Sequence, residues 1–281
     1  MSAVDITLNG IQTKKFTDLT ENNDISFEDG MILYKNGMKS ATLREIFDAV
    51  TAHMKRQVGV VKDITDAWYD GTLKAEVRNS NFKNVEPINY IIGRSTGMRY
   101  IVLDLNYFIN SGASILKTPH LVIMNATPFG NYKMNDTNTT AGGLKASKMY
   151  TETIPALQAQ YFEADFGDDL IAFDNLITNA IDSNGHASGS EWRGKTRKCD
   201  LLSEISATGS QHWGNGYDST IQKEQFAAFA IAGISAILGR QSVWFGDIAS
   251  ATLFSLWYVS GFVGHYGASY SCAAFLFALI G

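Results

Sequence analysis

No charged side chain follows Asp247: residues 248–281 contain no Asp, Glu, Lys or Arg. In water such a segment must be packed as core or displayed as a neutral contact surface. A membrane span is a poor fit, because Ser, Gly, His and Tyr interrupt it throughout. The longest apolar run in the chain, Phe226 to Gly239, has 14 residues, short of the roughly 20 a span needs, and is expected to be a buried helix or strand. Between Leu253 and Cys272 the rings Phe254, Trp257, Tyr258, Phe262, Tyr266 and Tyr270 alternate irregularly with Gly and Ser. Neither a 3.6 nor a 2.0 period runs through them, so mostly irregular backbone is expected. A Tyr/Ser/Gly mixture is what binding loops use: Tyr brings contact area at low entropic cost, and Ser and Gly bring adaptable hydrogen bonding. Residues 256–272 therefore read as contact surface, with Phe277, Leu279 and Ile280 closing an apolar strand behind it.

The rest of the composition narrows the function classes. At 281 residues with 45% hydrophobic and 18% charged residues, the chain can bury a sizeable core. A formal charge of −5 offers no basic field to nucleic acid or to an anionic membrane. Only Cys199 and Cys272 are present, which rules out a disulfide scaffold. The opening MSAVDITLNG lacks the basic and apolar regions of a secretory signal, so synthesis in a cytoplasm and no membrane insertion are expected.

Along the chain, residues 1–41 read as a small β element with turns at Asn9-Gly10, Asp29-Gly30 and Asn36-Gly37. Leu43, Phe47, Val50, Met54, Gln57, Val61, Ile64 and Trp68 then recur at alternating spacings of 4 and 3. This is a heptad seam, apolar except at Gln57, and Thr42 with Glu45 supplies a capping box at its start. A coiled-coil helix over 42–70 that holds several chains together is expected, with an amphipathic helix lying on its own domain as the alternative. Residues 71–90 are polar and read as a connector, and 91–281 as the main domain. Within it, 98–109 and 120–125 look like strands, and 143–162 looks helical with a break at Pro155.

Catalytic patterns are sparse. His53, His120, His186, His212 and His265 have no HxxxH or HxH spacing that places two on one metal. Glu163, Asp165, Asp168 and Asp169 crowd together without calcium-loop spacing and read as a solvated loop. The sequons at Asn125, Asn135 and Asn138 read as polar turns. No cofactor, metal site or catalytic residue is expected.

The segment from Val243 to Gly281 resembles the variable region of proteins diversified by diversity-generating retroelements. The likeness rests on Trp244, Asp247, Ala249, Ser250, Ala251, Thr252, Phe254, Gly261, Ala268, Ser269, Ser271, Leu279 and Ile280. Looser likeness to phage members of the family lies in 138–150 and 209–230. The chain departs from the pattern at Gly246 and at Phe275-Leu276, where the family has arginine and arginine-proline. The resemblance implies an α+β chain with a C-terminal C-type-lectin-like domain of the formylglycine-generating-enzyme-like subtype. It further implies a phage or prophage adhesin, carried on the virion as a homotrimer beside other tail proteins and binding a protein or glycan receptor on the host surface. Carried across, the ligand-binding positions are Leu256, Tyr258, Val259, Ser260, Phe262, Gly264, His265, Tyr266, Gly267, Tyr270 and Cys272, supported by Trp244, Asp247 and Trp257. Two alternatives stay open. The same fold supports formylglycine-generating-type oxidases, for which Cys199 and Cys272 are the candidate pair, and a tail or baseplate protein would need no diversified face.

Overall fold

Two apolar runs that alternate poorly with polar residues, Arg99–Leu105 (β4) and Leu121–Asn125 (β5), pair antiparallel at the middle of the larger sheet. The computed structural model describes residues 30–31, 41–42, 61–178, 190–192, 197–210 and 224–281. The chain is α+β and divides into two units, Met1–Gln57 and Val58–Gly281. In the first, the described residues form one antiparallel pair, Gly30–Met31 (β1) with Ala41–Thr42 (β2).

In the second unit Tyr90–Ile92 (β3), β4, β5, Leu276–Ile280 (β15) and Cys199–Leu201 (β10) lie side by side, and Leu170–Ile171 (β7) also pairs with β15. Asn131–Lys133 (β6), Val243–Ser250 (β11), Leu253–Trp257 (β12), Val263–Gly267 (β13) and Ser271–Ala273 (β14) make a second sheet in the order β13-β12-β11-β14-β6. Leu176–Thr178 (β8) and Ser190–Trp192 (β9) form a small pair of their own.

β15 shows why the end of the chain is so apolar. Its Leu276, Ala278 and Ile280 enter one core with Val102, Ile123 and Phe162, while Phe277 and Leu279 enter the other with Leu103, Val122 and Phe229. A strand buried on both faces reads as an unbroken apolar run. In the second core Phe277 stacks on Phe108, with ring centroids 5.6 Å apart and planes 9° apart.

The heptad reading needs correction over its last turns. Val61 to Ile64 are not helical; the helix here is only Thr65–Tyr69 (α1). Val61 is exposed, whereas Ile64 and Trp68 are buried in the core of their own unit, so these two do not form an intermolecular seam. Leu43, Phe47, Val50, Met54 and Gln57 lie outside the described residues. The connector also needs correction: it contains the helix Thr72–Arg78 (α2), whose Leu73 and Val77 join the same core. Their spacing of four places both on one helix face.

The stretch 143–162 is helical and extends further. After Gly143–Ala146 come Met149–Thr153, Ile154–Leu157, Gln158–Glu163 and Ala164–Phe166, with the first and third of these four wound as π-helix. The expected break at Pro155 is absent: Thr153 and Ile154 before it keep right-handed helical backbone, and the winding continues from Met149 to Phe166. The acidic run is not a uniformly solvated loop. Asp165 is buried and accepts from Ser95 N at 2.9 Å, Thr96 N at 3.0 Å, the Thr96 hydroxyl and Tyr100 OH at 2.8 Å.

Candidate functional site

The stretch 253–272 is mostly strand, which corrects the expectation of irregular backbone, although Tyr258, Phe262 and Tyr270 lie in the turns beside the strands. β12 and β13 form an antiparallel hairpin in continuous register from Leu253↔Gly267 to Trp257↔Val263. Its turn is closed by Tyr258 N to Phe262 O and by Gly261 N to Tyr258 O, both 2.9 Å. Gly261 has φ 90°, a left-handed conformation that glycine adopts without strain.

From this hairpin four rings touch in series. Phe262 and Tyr258 have centroids 4.8 Å apart, Tyr258 and Tyr266 meet edge to face at 5.0 Å and 89°, and Tyr266 stacks with Tyr270 at 5.3 Å and 28°. The ends of the series are open to solvent: Phe262 is 54% and Tyr270 58% exposed, and Val259 beside them is 55%. Tyr258, His265 and Tyr266 are half-buried and Ser260 is exposed. Phe262, Tyr258, Tyr266 and Tyr270 are thus joined ring to ring, with Val259 and Ser260 in the turn beside them, whereas His265 lies with Val263 on the other face of β13.

The other four predicted contact positions point inward, which corrects that part of the expectation. Leu256 shares the inner face of β12 with Phe254 and is fully buried. Cys272 pairs with Tyr132 across β14 and β6, and burial pushes its thiol up to about 12. At neutral pH that group stays protonated and a poor nucleophile. Cys199, also buried, lies in the other sheet.

Gly264 and Gly267 are covered by neighbours. A Cβ on Gly264 would stand 1.9 Å from Cε2 of Tyr258, whose ring lies across the strand and whose hydroxyl donates to His265 O at 3.0 Å. Partial burial, reinforced by Tyr266, holds that phenol above its ordinary pKa, so it remains a donor. Gly264→Ala is expected to expel the Tyr258 ring and cost about 1–3 kcal/mol. Denaturant unfolding reads the loss and near-UV circular dichroism reads the displaced ring.

At Gly267 a Cβ would stand 2.5 Å from Oδ1 of Asn138. That oxygen accepts from Ser269 N at 3.0 Å and Ser269 Oγ at 2.7 Å. It thereby holds the turn in which Tyr270 N donates to Gly267 O at 2.9 Å. Sequence reasoning missed Asn138 as a member of the site; its only signal was a sequon in a loop rich in Asn and Thr.

The supporting residues lie beneath. Trp244 is fully buried and donates from Nε1 to Tyr132 O at 2.7 Å, tying β11 to β6. Buried Asp247 accepts from Glu204 N at 2.7 Å, and Trp257 packs in the second core. The departures from the family pattern are internal too: a Cβ on Gly246 would meet Leu144 Cδ2 at 3.0 Å, and Phe275 and Leu276 are fully buried. The longer arginine side chain at either place would have to displace these packed neighbours, so glycine and apolar residues suit the sites.

Among the described residues, no three His, Cys, Asp or Glu side chains converge as a metal site would, and no helix is long and apolar enough to cross a membrane. No known family model matches this chain, and neither do curated proteins or solved structures.

Proposed function

We propose that the neutral ring surface of the β12–β13 hairpin is the ligand-binding face of a phage or prophage receptor-binding adhesin. Its domain is C-type-lectin-like and its exposed positions are varied by a retroelement. The supporting observation is the series Phe262–Tyr258–Tyr266–Tyr270, solvent-open at both ends and fixed by main-chain pairing beneath. Exposed aromatics on a rigid scaffold make effective anchors. Heavy variation is tolerable only where side chains face water, because most changes in a packed core destabilise. Trimeric presentation on the particle would multiply weak affinities.

Deep sequencing of the 3′ end of the gene in a propagating population tests this reading. Coding changes are expected at Tyr258, Val259, Ser260, Phe262, His265, Tyr266 and Tyr270, and depleted at Leu256, Gly264, Gly267 and Cys272. An even spread of changes over both sets, or a locus with neither a reverse transcriptase nor a near-copy differing at adenines, would defeat the diversified face.

A further inference from the structure

β13 is an outer strand of its sheet, and among the described residues no strand pairs with its far side. The bonds Tyr258 N to Phe262 O and Ala268 N to Thr252 O fix the parity of the hairpin. Bonded and unbonded pairs alternate in an antiparallel ladder, so Val263, His265 and Gly267 turn their main-chain N–H and C=O groups away from β12. Two of these three carbonyls are already filled, His265 O by the Tyr258 hydroxyl at 3.0 Å and Gly267 O by Tyr270 N at 2.9 Å. Val263 N and O have no partner among the described residues. Exposed strand edges are commonly kept apart by charged side chains or proline. Lys133 stands exposed on β6 at the opposite edge of this sheet, but Val263–Gly267 holds no Lys, Arg, Asp, Glu or Pro. The apolar run 226–239, expected to be buried, supplies no charge either. Its helices, Ala227–Ala232 and Ile234–Leu238, expose Ala230, Ala232, Ser235 and Ala236, and Ser235 Oγ would lie 3.8 Å from a Cβ on Gly261 in the hairpin turn.

We infer that Tyr258 guards this edge, and that without its side chain two copies of the chain would join through β13. The strand itself specifies the partner. A row of outward N–H and C=O groups is answered by another extended backbone. Val263–Gly267 is centred on His265, so a two-fold axis there sets Val263 of one copy against Gly267 of the other. The same groups then serve both sides, and one sheet continues across two molecules. Tyr258 opposes that pairing at its centre. Its hydroxyl occupies the middle carbonyl, and its ring crosses the strand at Gly264 to reach it. The bond from Tyr270 is made by main chain and outlasts a change of side chain, whereas the guard at 258 is lost with its ring. The inference stands whether or not the hairpin binds a receptor.

Sedimentation velocity of the full chain over a concentration series tests this. Tyr258→Ala, checked for a wild-type Tm and far-UV circular dichroism, is expected to reach about twice the wild-type mass. It should do so at concentrations about tenfold or more below any at which the wild type associates. Adding Val263→Pro removes an outward N–H that an edge strand can spare, and is expected to restore the wild-type mass; adding Tyr270→Ala is expected not to. Tyr258→Phe keeps the ring, loses only the hydroxyl, and is the variant to read if the alanine form does not fold; a smaller rise in association is expected. Amide hydrogen exchange locates the contact, since protection of Val263 N–H in the position-258 variants is expected to grow with concentration. An unchanged mass in every folded variant at 258 overturns the guard. Association that persists with Val263→Pro, or that Tyr270→Ala abolishes, also overturns it, because the copies would then meet through the exposed rings.

Discussion

Replacing Asp165 with alanine is expected to destabilise the second unit by about 4 kcal/mol and lower its Tm by roughly 10 °C. The carboxylate is 7% exposed and accepts from two backbone N–H groups and two hydroxyls on the β3–β4 segment. It lies where Gly93 has no side chain, since a Cβ there would stand 2.0 Å from Oδ2. The main-chain oxygen of the same residue accepts from Tyr69 OH at 3.2 Å, so one residue joins α1, the β3–β4 turn and the end of the helical stretch. Removing the acceptor leaves the buried Tyr100 hydroxyl and three part-buried donors without this partner, which costs more than an exposed bond is worth. Burial first, and Asp165 second, raise the Tyr100 hydroxyl well above its ordinary pKa, so it stays a donor at all working pH. Tyr100→Phe removes only one of the four donors and is expected to cost about 1 kcal/mol. Thermal and denaturant unfolding measure both; a loss below that of Tyr100→Phe in the alanine variant would contradict the hub.

Acidification is expected to remove about 3 kcal/mol of stability through His120 alone. The ring is fully buried, its Nδ1–H donating to Thr118 O at 2.9 Å and its Nε2 accepting from Phe108 N at 3.2 Å. A proton on Nε2 would face an amide hydrogen, and burial pushes the imidazole down from 6.5 to about 4. Between those values the unfolded chain takes up a proton that the folded one refuses. The contribution is therefore complete above pH 6.5 and is lost as pH falls to about 4. Carboxylates titrate in the lower part of that window, so the measured quantity is the difference in unfolding free energy between the wild type and His120→Gln at each pH. The variant is expected to be less stable at neutral pH and to close the gap by about pH 4; a gap that does not change with pH would show that this ring does not govern the loss.

What the sequence revealed depends on whether a residue's environment is local. β4 and β5 were legible because runs of β-branched and aromatic residues fix a strand from within. β12 was not, because its Phe254 and Leu256 enter one core and Trp257 the other, which erases the polar alternation that announces a strand. Ile64 and Trp68 fit a heptad by spacing, yet their apolarity serves contacts with residues far along the chain. Asp165 looked solvated among its acidic neighbours, since the groups that justify burying it are about seventy positions away, at Ser95 and Thr96. At the candidate site, composition disclosed a contact surface but not which members face outward. That was decided by Tyr258 and Asn138 folding over glycines.

The Tyr258–Gly264 pairing makes two codons answer for one fit. A ring at 258 demands no side chain at 264, and any side chain at 264 demands something slimmer at 258. A repertoire built on this hairpin would thus be smaller than the product of its independent positions. Its surviving members should carry linked changes, so a census of single sites would overstate the diversity that can fold.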